Sequence, residues 1–146
     1  MNSLDMVKEN CRIASEAEEG HLTEADFATY EAIKKSIRAN EKVGCTGCRY
    51  CMPCPKGVDI PGIFRCYNTM YIESKSEGRF QFAQTVGMTK EPAFATQCIK
   101  CGKCEKHCPQ NIPIRKKLVE ADKALRPLPY KIGINAARMF MFRKAK

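Results

Sequence analysis

Apolar residues recur every three or four positions along most of the chain, and this spacing predicts helices. The first predicted helix covers residues 3–19, where Ser3 stands at the N-cap position and Gly20 follows the last turn. Its apolar face is formed by Leu4, Val7, Cys11 and Ala14. The second covers residues 23–38 and begins with Thr23 and Asp26 in the spacing of a capping box. Its apolar stripe is Phe27, Tyr30, Ile33 and Ile37.

Two further helices are predicted downstream. Residues 59–74 begin with Asp59 and Pro61, which are helix-start signals, and carry Ile60, Ile63, Phe64, Tyr67 and Tyr71 in helical register. Residues 114–125 follow Pro113 and carry Ile114, Leu118, Val119 and Leu125. The stretch 78–92 fits a short amphipathic helix as well as a strand. Because no long pattern of period two occurs, the predicted fold class is mainly α.

Two cysteine runs lie between these helices, in stretches whose glycines and prolines predict loops. The first is "CTGCRYCMPCP" at residues 45–55, and the second is "CIKCGKCEKHCP" at residues 98–109. Each contains three cysteines spaced by two residues, then a fourth cysteine followed by proline. Each is also followed by an Ile-Pro pair and a helical stretch, so the chain contains an internal repeat.

The second run has the spacing of bacterial ferredoxins, in which three thiolates hold one 4Fe–4S cluster and the fourth ligates a second cluster. In the second run Gly102 allows the backbone to approach a cluster closely. The predicted ligands of the first cluster are Cys45, Cys48, Cys51 and Cys108, and those of the second are Cys98, Cys101, Cys104 and Cys54. Only two residues separate Cys51 from Cys54, one fewer than the strict pattern, which leaves the crossed assignment open. Zinc and a single-cluster site are the alternatives, although zinc usually takes pairs of cysteines rather than triplets.

The remaining candidates are predicted to be structural or solvated. Cys11 and Cys66 lie on apolar helix faces and are expected to be small buried side chains. His107 falls outside the ligand spacing and is expected to be a solvated loop residue. Three lysines are interleaved with the second run; they either raise a cluster's potential, meet an acidic partner, or are simply solvated. They are Lys100, Lys103 and Lys106.

Ten cysteines in 146 residues stand out from an otherwise ordinary globular composition. The first thirty residues contain no uninterrupted apolar stretch like that of a secretory signal, and no run approaches the roughly 18 apolar residues of a membrane span. We therefore expect a cytoplasmic protein, in which clustered reduced thiols are better explained by metal than by disulfides.

The net charge of +9 is concentrated in residues 45–146, which hold nineteen basic and seven acidic residues. The excess offsets the negative charge of thiolate-bound clusters, so nucleic acid is not an expected partner, and no aromatic stacking platform or known motif supports one. The basic tail at residues 127–146 is either a solvated or partner-packed end or an amphipathic helix that touches a membrane, the first being favoured because Gly133 interrupts it.

The two cysteine segments "GCTGCRYCMPCPKGVDIPGIFRCYN" and "QCIKCGKCEKHCPQNIPI" resemble the C-terminal iron–sulfur extension found on a branch of the aldo/keto reductase family. The segment "SLDMVKENCRIASEAEEGHLTEAD" is similar to the end of the reductase barrel, where a Glu-Asn pair lies near the adenine end of bound NADP; Glu9 and Asn10 match it by position. The resemblance covers about residues 3–120.

The resemblance implies a helical segment at residues 1–40 that ends a reductase barrel, an α-helical ferredoxin-like domain at 41–126 with two cluster loops, and the basic tail. It also implies that the catalytic Asp, Tyr, Lys and His of the family would lie upstream of Met1, so this chain would not reduce a carbonyl by itself. The expected function is electron transfer through two 4Fe–4S clusters. The alternative is a structural iron–sulfur module that docks on the barrel or supports oligomerisation through the apolar faces of the first two helices.

Overall fold

The computed structural model describes residues 2–142. Its helices are α1 (Leu4–Glu16), α2 (Glu24–Asn40), α3 (Ile60–Ile72), α4 (Lys75–Phe82), α5 (Lys103–Lys106), α6 (Ile114–Leu125) and α7 (Leu128–Phe142). A π-helical turn at Ala83–Gly87 continues α4, and a 3-10 turn at Ala95–Gln97 precedes the second cysteine run. Residues 2–142 contain no strand, which confirms the mainly α prediction. None of the helices in this range has the length and apolar character that a membrane crossing requires.

The chain divides into two compact units, Met1–Ile37 and Arg38–Lys146. In the first unit, α1 begins with the predicted cap, in which the Ser3 hydroxyl accepts the N–H of Met6 at 3.3 Å. The predicted capping box also forms, because the Thr23 N–H donates to Asp26 at 2.8 Å and the Asp26 N–H donates back to the Thr23 hydroxyl at 3.3 Å. Local capping therefore defines both helix starts.

The side chains of α1 and α2 are exposed along their whole length. The prediction that Cys11 is buried is therefore wrong, because Cys11 is exposed like the other described side chains of α1. The apolar side chains that were expected to pack are exposed as well, Phe27 at 56% and Ile33 at 50%. The sequence pattern identified the apolar face correctly but does not indicate what covers it.

The core of the second unit is built where α3 packs against α4 and α6. Fully buried side chains from these three helices and the adjoining loops form it: Val58, Ile60, Ile63, Phe64, Cys66, Phe82, Val86, Ile114, Leu118 and Leu125. The prediction for Cys66 is thus confirmed. Val119 belongs to the apolar pattern of α6 but is 58% exposed, because the buried positions of this helix are 114, 118, 121 and 125.

Helix α4 approaches α3 closely at Gly78. A Cβ atom at this position would lie 2.6 Å from the carbonyl oxygen of Cys66 and 2.7 Å from the backbone nitrogen of Met70. The ambiguous stretch at residues 78–92 is thus helical in its first half, with Phe82 buried and Phe80 exposed.

The segment expected to be a basic tail forms α7 within the described residues. Ile134 is buried, and the Arg138 guanidinium donates to the backbone carbonyl of Gly87 at 2.8 Å and also to that of Thr89. Arg79 also contacts this helix, with its guanidinium 4.8 Å from the centre of the Tyr130 ring. Helix α7 therefore contacts the rest of the second unit through Tyr130, Ile134 and Arg138 and leaves most of its other side chains exposed, whereas residues 143–146 of the predicted tail lie outside the described residues.

Candidate iron–sulfur site

The two cysteine runs share a pattern of positive φ angles. In each run the residue before the middle cysteine and the residue after it have positive φ. These residues are Gly47 (71°) and Arg49 (66°) around Cys48, and Lys100 (58°) and Gly102 (76°) around Cys101. Only glycine adopts this left-handed region without cost. The repeat is therefore one of conformation, and each run uses glycine at one of the two left-handed positions.

The repeat continues past the fourth cysteine of each run. Gly57 and Asn111, each three residues beyond that cysteine, have positive φ and donate their N–H to the carbonyls of Cys54 and Cys108 at 3.0 and 3.1 Å. The next equivalent positions are buried in both copies: Val58 and Ile60 after the first run, Ile112 and Ile114 after the second. The Ile-Pro pairs of the sequence repeat thus do not correspond to each other, because Ile60 corresponds to Ile114 rather than to Ile112.

Asn68 of α3 fixes the backbone that leads into the first run. Its side-chain oxygen accepts the N–H groups of Lys42 and Val43, both at 3.0 Å, and its amide donates to the carbonyl of Val43 at 2.7 Å. Asn68 is 9% exposed and Val43 is 3% exposed, so these bonds lie away from water. Since buried backbone groups need partners, they fix the position of the chain two residues before Cys45.

Arg126 has the corresponding role before the second run. Its guanidinium pairs with the Asp122 carboxylate at 2.6 Å, lies 4.1 Å from the centre of the Phe94 ring and donates to the Thr96 hydroxyl at 3.3 Å. The side chain is only 5% exposed. It therefore ties the end of α6 to the segment that precedes Cys98.

Sequence analysis missed both anchoring residues. Asn68 had a signal, because it is a polar residue on the apolar face of α3, four positions after Phe64, and buried polar groups need partners. Arg126 had no such sequence signal. An arginine just before Pro127, at the end of a basic helix, is equally typical of a solvated residue near a helix C-terminus.

A first cavity brings together three cysteines of the first run and one of the second. It is lined by Cys45, Cys48, Cys51 and Cys108, and its apolar wall includes Phe64 and Ile114. The space between them is about 20 Å³, which is little more than one water molecule requires. The four predicted ligands of the first cluster thus face one narrow space.

A second cavity brings together the other predicted set. It is lined by Cys98, Cys101, Cys104 and Cys54, together with Cys51, which borders both cavities. Its volume is about 320 Å³. Side chains that sequence analysis did not assign also line it, namely Tyr50, Ile99 and Arg115. His107 is exposed as predicted, and it borders this cavity too.

The thiols differ in how far their surroundings favour the protonated form. Burial raises the pKa of the Cys51 thiol to about 11, and the nearby thiols of Cys45 and Cys104 add to the rise. Burial is also the main cause of the raised pKa values of Cys45 and Cys104. These thiols therefore carry protons at neutral pH when no metal is bound, and each must release its proton to become a ligand.

The donor sets match an iron–sulfur cluster in chemistry, since each cavity presents its four predicted thiols, with Cys51 as a fifth at the second, and thiolates are the usual ligands of such clusters. Within residues 2–142, no three side chains of His, Cys, Asp or Glu converge closely enough to hold a single ion. A cubane of four irons and four sulfides is larger than one water, so the first cavity has to widen to admit one. Its rim includes the exposed Cys48 loop.

A family model described as a 4Fe-4S dicluster domain matches residues 44–112, the range that contains all eight cysteines of the two runs. No curated protein and no solved structure matches the chain. The cysteine-bearing part of the chain is therefore a ferredoxin-like iron–sulfur domain that binds 4Fe–4S clusters. This confirms the cofactor class and the electron-transfer class that the cysteine spacing predicted.

Proposed function

We propose that this chain binds two 4Fe–4S clusters with crossed ligands and transfers electrons as the ferredoxin-like module of an aldo/keto reductase-type oxidoreductase. The observation that carries the proposal is the first cavity, where Cys108 of the second run lies with Cys45, Cys48 and Cys51 of the first. A chain in which each run bound its own cluster would have no need of that arrangement. Cys54 among the cysteines of the second run is the reciprocal case.

The clusters would supply one-electron redox chemistry, and the chain's own residues would hold and shield them. The backbone N–H of Lys100 donates to the Cys98 sulfur at 3.4 Å, a bond that stabilises negative charge on that sulfur. Apolar side chains close the inner side of the first cavity, whereas Cys48 and Cys101 are exposed. The exposed cysteines therefore mark where an electron would enter or leave.

The first unit is the proposed contact with a reductase barrel or another redox partner. Its apolar side chains are exposed, and the carboxylate of Glu9, one of the two residues that match the Glu-Asn pair of the family, is paired with Arg12 at 2.7 Å. A barrel that covers these helices would also account for the exposed Cys11. We place the module in the cytoplasm, where thiols remain reduced and available for cluster assembly.

The second candidate function is a structural one, in which the clusters hold the two runs together and are never reduced. It is favoured by the anchoring of both runs to the core through Asn68 and Arg126, since a site so firmly attached to the core would transmit metal binding into folding stability. Docking to a barrel or self-association would then be the role of the module.

Anaerobic measurement of iron, sulfide and zinc, followed by EPR of the dithionite-reduced protein, tests the proposal. About eight irons and eight sulfides per chain, with signals from two magnetically coupled clusters, are the expected result. Two zincs, no sulfide and no signal would overturn the cofactor assignment. Eight irons that no physiological potential reduces would instead establish the structural function.

A further inference from the structure

The surface around the second cavity carries a concentrated positive charge. Lys100, Lys103 and Lys106 are all exposed, and within residues 2–142 none of their ammonium groups lies in an ion pair. Lys103 and Lys106 belong to α5, and their spacing of three places them on the same side of that turn. All three charges are therefore exposed on the second run, and Lys103 lines the second cavity itself.

The nearest carboxylate does not neutralise them. Glu105 is the only acidic residue between 98 and 117, a range that contains six basic residues. Its two oxygens are occupied by Arg115, which contacts them through its backbone N–H at 2.8 Å and its guanidinium at 2.7 and 2.9 Å. Both oxygens of the Glu105 carboxylate are therefore committed to Arg115 and not to the three lysines.

Two large apolar side chains are exposed at the mouth of the same cavity. Tyr50 is 68% exposed and Ile99 is 60% exposed, and both line the cavity together with Lys103 and Cys101. They come from different cysteine runs and are brought to one place by the fold. An apolar contact surrounded by charged residues is the usual composition of a protein interface.

The surroundings of the first cavity do not have this character. Arg49 is the basic residue that lines it, and Glu41 is close enough to the Cys45 thiol to act on it electrostatically. The neighbouring Lys42 is already engaged, with its ammonium 4.5 Å from the centre of the Tyr71 ring. The twenty residues 45–64 hold two basic residues, Arg49 and Lys56, against six in the twenty residues 98–117, so the positive charge is denser along the second run.

We propose that this surface, which we call the lysine face and define as Lys100, Lys103, Lys106, Tyr50 and Ile99, docks an acidic redox protein. The partner's carboxylates meet the three lysines, and an apolar part of its surface covers Tyr50 and Ile99. One electron then passes between the partner's redox group and the cluster beside Cys101, so that one protein is oxidised and the other reduced by one electron. The inference rests on the proposed function, since it names the partner class for the same site.

The experiment uses the loaded full chain and two probes of opposite charge, an acidic flavodoxin and a basic cytochrome c. The test variant is Lys100→Gln/Lys103→Gln/Lys106→Gln. The matched control is Lys75→Gln/Lys90→Gln/Lys131→Gln, which removes the same charge from exposed positions that do not line the second cavity. Binding is measured by titration between about 20 and 300 mM salt, and electron transfer from reduced flavodoxin by stopped flow.

We expect the wild type to bind flavodoxin and not cytochrome c, with affinity that falls as salt rises. The test variant should bind roughly tenfold more weakly at low salt and with a flatter salt dependence, while the control changes less than about threefold. Ile99→Ser should weaken binding at all salt concentrations, because it removes an apolar contact. Visible absorbance of the clusters verifies that each variant is loaded.

Three results would overturn the docking surface: no binding of flavodoxin by the wild type, equal losses in test and control variants, or a changed midpoint potential in the test variant with unchanged binding. The last would mean that the lysines only compensate cluster charge. The measurements distinguish failure of the proposed electron transfer from failure of the proposed docking surface. Lysine-dependent binding without electron passage would refute electron transfer alone, and fast transfer that ignores the three lysines would refute the docking surface alone.

Discussion

The two cysteine runs share a pattern of left-handed residues but have two different environments. Both place left-handed residues around the middle cysteine and a left-handed residue three positions after the fourth. The first cavity has a volume of about 20 Å³ and largely apolar walls, whereas the second has a volume of about 320 Å³ and is lined by Lys103. The short-range spacing thus fixes how a run folds, and the surrounding elements decide how accessible it is.

The segments that lead into the runs differ in the same way. Asn68 holds the first through hydrogen bonds between neutral groups, and Arg126 holds the second through an ion pair and an aromatic ring. The first arrangement suits a buried site that must stay fixed, and the second leaves an open, charged face free for a partner. If the two proposed clusters occupy these cavities, the first would be the more enclosed one and the second would be the one beside the lysine face.

The largest expected effect comes from breaking the crossed ligation. Cys48→Ala and Cys108→Ala should each lower iron from about eight to about four per chain, because both remove a ligand of the same cluster. The double variant Cys48→Ala/Cys108→Ala should still hold about four irons, whereas Cys48→Ala/Cys54→Ala should hold almost none. Anaerobic iron and sulfide analysis measures all of them, with Cys11→Ala as the control that stays near eight.

The two double variants make this test decisive. If each run bound its own cluster, Cys48→Ala/Cys54→Ala would keep four irons and Cys48→Ala/Cys108→Ala would lose all of them. The result would then be the reverse of the expected one.

A smaller effect separates the two anchoring residues. Asn68→Ala leaves buried backbone groups of Val43 without partners, and Arg126→Met leaves the Asp122 carboxylate without its cation, so each should cost about 3 kcal/mol. We expect Asn68→Ala to accelerate loss of the first cluster and Arg126→Met that of the second. Guanidinium titrations followed by visible absorbance measure this, in backgrounds where Cys54→Ala or Cys108→Ala has left only one cluster.

The controls for these anchors are exposed residues of the same type. Asn135→Ala on α7 and Arg12→Met, whose ion pairs on α1 lie in solvent, should change cluster loss by less than about 0.5 kcal/mol. Equal sensitivity of both clusters to both anchor variants would mean that the second unit responds as a whole, and the contrast between the runs would not extend to stability.

The smallest expected effect tests the shared backbone. Gly47→Ala and Gly102→Ala each force a Cβ into the left-handed region, where the strain costs about 1 kcal/mol. The denaturant midpoint for cluster loss should fall by a similar amount in both. Gly133→Ala, which has open space within 4 Å and lies in α7, should instead raise stability by up to about 1 kcal/mol. A Gly102→Ala variant whose denaturant midpoint for cluster loss is unchanged would contradict the equivalence of the two runs.

Local signals in the sequence predicted the helix starts well, because a cap requires only residues that are neighbours in the chain. The Ser3 cap, the box of Thr23 and Asp26, and the Asp59 N-cap all form as predicted. The prediction that was wrong concerned burial. Cys11 is exposed along with the other described side chains of α1, and the apolar pattern of α6 did not distinguish the exposed Val119 from the buried positions 114, 118, 121 and 125.

At the candidate site, too, the sequence predicted what depends on local spacing and not what depends on packing. Cysteine spacing was enough to predict iron–sulfur chemistry, since three thiolates two residues apart suit one face of a cubane. The Ile-Pro pairs suggested a register for the repeat that the backbone does not follow, because buried contacts at Ile60 and Ile114 set the alignment. Tyr50 and Ile99 had no sequence signal at all, since they lie 49 positions apart and meet only in the folded chain.

By itself, the sequence determined the helical class, the caps and the cofactor chemistry, because each depends on residues within a few positions of one another. Tertiary structure decided which cysteines share a cavity, which cluster loop carries exposed charge and which residues anchor the loops. These depend on where α3 and α6 meet, and that packing depends on side-chain volumes and close approaches such as Gly78 against Cys66, which no periodicity in the chain encodes.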